Sequence, residues 1–117
     1  MGKKILIVDD DAMNRKLAGM MLKKGQHEVE AVESGDAGIE MLRSNTFDVL
    51  LLDVEMPGKN GIETLGQIRE QGLGADMRVL FLTGNEESEV SGAIRDLKAD
   101  GYIKKPFKPQ ELLAAVE

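Results

Sequence analysis

Phe47-Asp48-Val49-Leu50-Leu51-Leu52-Asp53-Val54-Glu55-Met56-Pro57-Gly58-Lys59-Asn60-Gly61 is the stretch on which the reading of this chain turns. Val49–Leu52 is an unbroken apolar run between two aspartates. Its length is that of a strand buried on both faces, as strands in the middle of a parallel sheet are. Pro57, Gly58 and Gly61 then interrupt the chain before a helix can begin, so Asp53 has no helix N-terminus to cap. It stands at the carboxyl end of a buried strand without a local structural duty.

Two further runs of the same kind flank it, Ile5–Val8 and Val79–Leu82. Glu28-Val29-Glu30-Ala31 alternates polar and apolar residues, and Gly101-Tyr102-Ile103-Lys104 is short and half polar. Both suit sheet edges, where one side of the strand meets water. Helical periodicities lie between the strands. Met13, Leu17, Met20 and Met21 mark a first helix with Gly25 as its C-terminal cap, and Ala37, Gly38, Met41 and Leu42 a second opened by Ser34. Ile62, Leu65 and Ile68 mark a third ended by Gly72. Val90, Ala93, Ile94 and Leu97 mark a fourth, and Leu112, Leu113 and Val116 a fifth that meets the end of the chain.

Strands alternating with helices predict an α/β fold, a parallel sheet covered on both faces in three layers. With the three apolar strands central and the two half-polar strands outside, the order is 2-1-3-4-5, the flavodoxin-like (βα)5 arrangement. Its ligand crevice opens at the carboxyl ends of strands 1 and 3. A chain of 117 residues fits one domain, residues 1–117, and buries roughly two-thirds of its unfolded surface.

The strand ends therefore compose the site. Strand 1 ends in Asp9-Asp10-Asp11, strand 3 in Asp53, strand 4 in Thr83 and strand 5 in Lys104-Lys105-Pro106. Neighbouring strands lie about 4.8 Å apart, which crowds Asp9, Asp10 and Asp53 together. Such a cluster repels itself unless a hard divalent cation joins it, and carboxylate oxygens suit magnesium. A hydroxyl and an ammonium across the crevice suit phosphoryl oxygens. Carboxylate, metal, hydroxyl and lysine together describe phosphoryl transfer with an aspartate as acceptor.

Composition narrows the field. Zero cysteines exclude disulfide, thiolate-metal and cysteine-nucleophile chemistry, and a single histidine, His27, excludes multi-histidine metal sites. A net charge of −6 with 3% aromatic residues argues against direct nucleic-acid binding. No stretch has the length of a membrane span or the form of a secretion signal, so a cytoplasmic location is expected. His27 reads as an exposed polar residue beside an edge strand, Asp11 as a charge in the first turn of a helix, and the seven methionines as core filler. Asn60 reads as loop chemistry without consequence.

ILIVDDD, FDVLLLDVEMPGKNG, VLFLTGNE and GYIKKPF, in this order and spacing, make the chain resemble the receiver domain of two-component response regulators over nearly its whole length. The resemblance implies that Asp53 accepts a phosphoryl group from a sensor histidine kinase, a histidine phosphotransfer protein or a small phosphodonor. It implies magnesium, with manganese as a substitute, held by Asp9, Asp10, Asp53 and the backbone carbonyl of Glu55, Asp9 acting mainly through water. Thr83 and the amide of Gly84 would bind the phosphoryl oxygens. Lys105, rather than Lys104, would pair with the acyl phosphate and precede a cis Pro106. Tyr102 matches the aromatic switch position, and the helix 4, strand 5 and helix 5 surface would carry the output to an effector domain or protein, with dimerisation on phosphorylation as one form of it. Glu55 and Asn85 occupy the positions that tune acyl-phosphate lifetime. The domain is then a phosphoacceptor with weak self-phosphorylation and autodephosphorylation rather than an enzyme.

Rival readings fit less well. An aspartate-nucleophile phosphatase shares the Asp-x-Asp of Asp9 and Asp11 but wants Gly and Thr where Ala12 and Met13 stand. A flavin carrier wants hydroxyls after strand 1, where three aspartates would repel its phosphate. A degenerate receiver, a binding module that needs no phosphorylation, lacks one of the acidic, threonine or lysine positions, and this chain keeps them all.

Overall fold

The computed structural model describes residues 2–84 and 87–117, with side chains for all of these except residues 87–89. The strands are β1 (Lys4–Val8), β2 (Glu28–Val32), β3 (Val49–Asp53), β4 (Arg78–Thr83) and β5 (Gly101–Lys104). The helices are α1 (Ala12–Lys24), α2 (Gly35–Ser44), α3 (Gly61–Glu70), α4 (Glu87–Leu97) and α5 (Pro109–Val116). All strand pairs are parallel, in the order β2-β1-β3-β4-β5. The hydrophobic pattern sorts the strands as expected: β3 is buried at all five residues, whereas β2 has none buried.

Alternation along the strands divides the core in two. Leu6, Val8, Leu50, Leu52, Val79 and Phe81 face Ile39, Leu42, Leu65, Ile68 and Val90 of α2, α3 and α4. Ile5, Ile7, Val49, Leu51, Leu80 and Leu82 face Ala18, Leu22, Leu112 and Val116 of α1 and α5. Successive strand side chains point to opposite faces, so each central strand must be apolar throughout to serve both layers.

α1 corrects the expected apolar face. Met13, Leu17 and Met20 are 61%, 41% and 59% exposed, and the helix instead buries Ala18 and Leu22, with Met21 packed at the margin. At 100° per residue the two arcs lie on different sides of the helix. α1 packs against both the sheet and α5, and the small side chain of Ala18 lets it approach closely. Gly25, the C-cap, serves the same approach: a Cβ there would lie 2.5 Å from Leu113 Cδ2. Two of the methionines expected as core filler therefore stand in solvent. Met20→Gln should shift unfolding free energy by no more than about 0.5 kcal/mol, whereas Ala18→Leu should cost about 1–3 kcal/mol by overpacking, both read by urea denaturation. Equal losses in the two variants would contradict the assignment of the buried arc.

Other expectations change in detail. His27 is buried, not exposed, because its Nδ1 accepts a hydrogen bond from the Lys3 amide at 3.0 Å and so ties the chain start to β2. Asp11 is not in the first turn; it is the N-cap of α1, accepting from the amides of Met13 at 2.8 Å and Asn14 at 3.3 Å. Asn60 has a consequence after all. Its side chain accepts from the Glu63 amide at 2.9 Å while Glu63 accepts from the Asn60 amide at 3.0 Å, a reciprocal cap that starts α3. Among the described residues no helix is long and apolar enough to cross a membrane.

Candidate functional site

The carboxyl ends of β1, β3, β4 and β5 meet at one edge of the sheet. Leu52 lies beside Val8 and Phe81, and Thr83 beside Lys104. This register carries Asp9, Asp53, Thr83 and Lys105 to the same crevice. Chain turns just beyond the strands are pinned to it: Asp9 N donates to Val32 O at 3.1 Å, Val54 N to Leu82 O at 3.0 Å and Lys105 N to Thr83 O at 2.7 Å. The loop after Asp53 folds back until Gly61 N donates to Val54 O at 3.1 Å. A Cβ on Gly61 would stand 2.2 Å from the Asp53 carbonyl oxygen, so only glycine permits this return.

Asp9, Asp10 and Asp53 each present a carboxylate oxygen within 4.8 Å of the others. Asp9 and Asp53 are buried and Asp10 is exposed at the mouth. Asp9 Oδ1 accepts from the Asp11 amide at 3.0 Å. Arg15 Nη1 donates to the Asp9 carbonyl at 2.8 Å, a brace that the sequence reading missed; its only signal was a basic residue one turn into α1. The Lys105 ammonium lies 2.7 Å from Asp53 Oδ1 and 3.7 Å from Asp9 Oδ2. The first contact is a close ion pair that occupies Asp53 Oδ1, whereas Asp53 Oδ2 and Asp9 Oδ2 have no hydrogen-bond donor.

The Asp53 carboxyl is raised to about 7: burial raises it most, the Lys105 ammonium pulls it down, and the Asp9 charge pushes it up. For Lys105, burial acts to lower its value, but the facing carboxylates of Asp53, Asp9 and Glu55 outweigh this and hold it above the ordinary lysine value. Buried carboxylate oxygens without donors are costly unless a cation takes them up. An all-oxygen, acidic donor set of this kind fits magnesium, which needs few protein ligands because it retains water.

Thr83 is buried and Gly84 lies just beyond it. Both donate to one atom, Glu55 Oε1, from Thr83 Oγ1 at 3.3 Å and from Gly84 N at 2.8 Å. Glu55 is exposed at the mouth. The Lys105–Pro106 peptide is cis. Lys104 is exposed and takes no part in the cluster. Tyr102 is half-buried against the α2–α4 side of the core, beside Phe81 on the face that also carries Thr83. Asn85 lies outside the described residues.

Residues 5–117 match the family model of the response regulator receiver domain. The chain is 38% identical to the transcriptional regulatory protein ResD of Bacillus subtilis over 97% of its own length and 46% of that protein's. It is 36% identical to the nitrate/nitrite response regulator NarL of Escherichia coli over 96% of its length and 52% of that protein's. It thus spans about half the length of such relatives. Among solved structures, the chemotaxis protein CheY4 of Vibrio cholerae superposes with a TM-score of 0.92 at 29% identity, covering 99% of this chain and 97% of that one. The receiver domain of the sensor histidine kinase PA1611 from Pseudomonas aeruginosa, which holds a magnesium ion in its active-site cleft, superposes with a TM-score of 0.88 at 26% identity, covering 99% and 95%. Fold, strand-end chemistry and family model agree, and the chain belongs to the response regulator receiver domain family of two-component signalling.

Proposed function

We propose that this chain is a phosphorylation-controlled switch in which Asp53 accepts a phosphoryl group from a sensor histidine kinase, a histidine phosphotransfer protein or a small phosphodonor. The observation that carries the reading is the buried Asp53 carboxylate, with one oxygen held by the Lys105 ammonium at 2.7 Å and the other without a hydrogen-bond donor. A carboxylate oxygen without a hydrogen-bond donor keeps its lone pairs for attack, and a carboxyl with its value raised toward neutrality is the better nucleophile when ionised. Attack by an Asp53 oxygen on phosphorus breaks the bond to the donor, and the leaving imidazole or acetate departs with the electron pair.

Receiver domains bind magnesium at an acidic pocket, here the Asp9, Asp10 and Asp53 cluster. In this chain those three carboxylates, with the Glu55 backbone carbonyl, would hold the ion. When bound, it supplies charge neutralisation for the transferring phosphoryl group. Lys105 neutralises a further phosphoryl oxygen, and the Thr83 hydroxyl and Gly84 amide hold the others. Those contacts exist only after transfer, so they can shift the balance between two arrangements of the α4, β5 and α5 surface, with Tyr102 turning inward. That surface would then engage an effector domain or protein, or a second copy, in the cytoplasm.

Intact-mass measurement after incubation with acetyl phosphate tests the reading. One phosphoryl group gained with magnesium, none gained in EDTA and none gained by Asp53→Asn is the expected result. No gain in any condition would leave the chain as a module that binds partners without phosphorylation. Glu55 and Asn85 would border the path of the hydrolytic water, so Glu55→Ala should change the decay rate of the phosphorylated protein severalfold; unchanged decay removes Glu55 from that role.

A further inference from the structure

The Glu55 side chain has a second consequence, independent of hydrolysis. It is two residues past Asp53, on the loop after β3, yet its Oε1 reaches across to the end of β4. There it takes the Gly84 amide at 2.8 Å and the Thr83 hydroxyl at 3.3 Å, the two donors assigned above to the phosphoryl group. A carboxylate oxygen and a phosphoryl oxygen ask for the same thing, a convergent pair of N–H and O–H donors. The contact to Gly84 is charge-assisted and at an ideal distance. It crosses from β3 to β4 and so joins two strand ends that the phosphoryl group would also join.

We infer that the Glu55 carboxylate is an internal stand-in for the phosphoryl group, latched on Thr83 and Gly84 in the unphosphorylated protein and displaced when Asp53 is modified. The inference rests on the phosphoacceptor reading and adds a regulation to it. Glu55 is a positioning residue: it holds the switch threonine and the following amide in an already-bonded state, so phosphorylation exchanges one anion for another on them. The affinity for any phosphoryl mimic is then reduced by the fraction of molecules in which the latch is closed.

Beryllofluoride, added with magnesium to the intact protein, is the probe. Its affinity is measured by titration calorimetry for the wild type and for Glu55→Ala, Glu55→Gln and Glu55→Asp, beside magnesium alone on each. Amide NMR follows Gly84 throughout. Opening the latch should tighten beryllofluoride binding by about tenfold in Glu55→Ala, and the Gly84 amide proton should move upfield in the ligand-free variant as its carboxylate partner is lost. Glu55→Asp separates latch from charge, because it keeps the negative charge on an arm one methylene too short to reach Gly84. Tightening in Glu55→Asp close to that in Glu55→Ala supports the latch. Wild-type affinity in Glu55→Asp with equal tightening in Glu55→Ala and Glu55→Gln would show simple charge repulsion and overturn it. So would a wild type that binds the probe with affinity equal to all three variants and an unmoved Gly84 signal. If neither the wild type nor any folded variant binds beryllofluoride, the phosphoacceptor reading itself falls, and this inference with it.

Discussion

Asp53→Asn should take up no phosphoryl group and yet, in metal-free buffer near pH 7.5, unfold at a higher temperature than the wild type. The wild-type carboxyl is buried, its value is pushed up from 3.8 to about 7, and its Oδ2 lacks a hydrogen-bond donor. A raised value means that the folded protein resists the ionisation that the unfolded chain permits. Above about pH 7 the native state therefore bears the full cost of a buried anion. As pH falls from about 7 toward 3.8, the native carboxyl takes up its proton before the unfolded one does, and that cost disappears. Asparagine has nearly the same shape and no charge to bury. It gives up the ion pair with Lys105, but that ammonium retains Asp9 at 3.7 Å. A gain of roughly 1–3 kcal/mol at pH 7.5 is expected, worth about 5 °C or more for a domain of this size. The gain should shrink toward zero by pH 4.5. Thermal melts of both proteins in EDTA at the two pH values check this. A variant that melts below the wild type at pH 7.5, or a gain that persists undiminished at pH 4.5, would mean that the carboxylate is not the liability its burial indicates.

Phe81→Ala should cost about 3–5 kcal/mol, a large fraction of the stability of a domain this small. Phe81 is fully buried in β4, between Leu52 of β3 and Tyr102 of β5, and belongs to the core shared with α2, α3 and α4. No other aromatic side chain is fully buried among the described residues. Urea titration should show a lower midpoint with an unchanged slope, the mark of lost stability without a change in the surface exposed. Phe81 is two residues before Thr83 on the same face, and a relaxed β4 would also loosen the Thr83 hydroxyl. A loss below about 1.5 kcal/mol would show that the site collapses around the deletion.

The strands were legible because their demands are local. A run such as Leu50-Leu51-Leu52 has one stable home, a strand with a packed layer on each side, and half-polar runs such as Glu28–Ala31 are refused by that home. Once the order follows, the strand ends place Asp9, Asp53, Thr83 and Lys105 around one crevice with no knowledge of side-chain geometry. α1 was less legible for the opposite reason. It carries two apolar arcs, Met13-Leu17-Met20 and Ala18-Leu22, and periodicity alone favours the larger side chains. The choice of the smaller arc is made by the space left between the sheet and α5.

Asn60 and His27 show the same division on a smaller scale. The capping pattern of Asn60 with Glu63 was present in the chain and was overlooked, whereas the partner of His27, the Lys3 amide, is 24 residues away and is invisible locally. The sequence by itself determined the strand order and the chemical inventory of the crevice, because both follow from which residues end which apolar runs. Only the tertiary structure decided which face of α1 is buried, that Asp53 is buried against Lys105, and that Glu55 crosses to Thr83 and Gly84. Each of these depends on distances between residues far apart in the chain, set by how closely the packed layers approach one another.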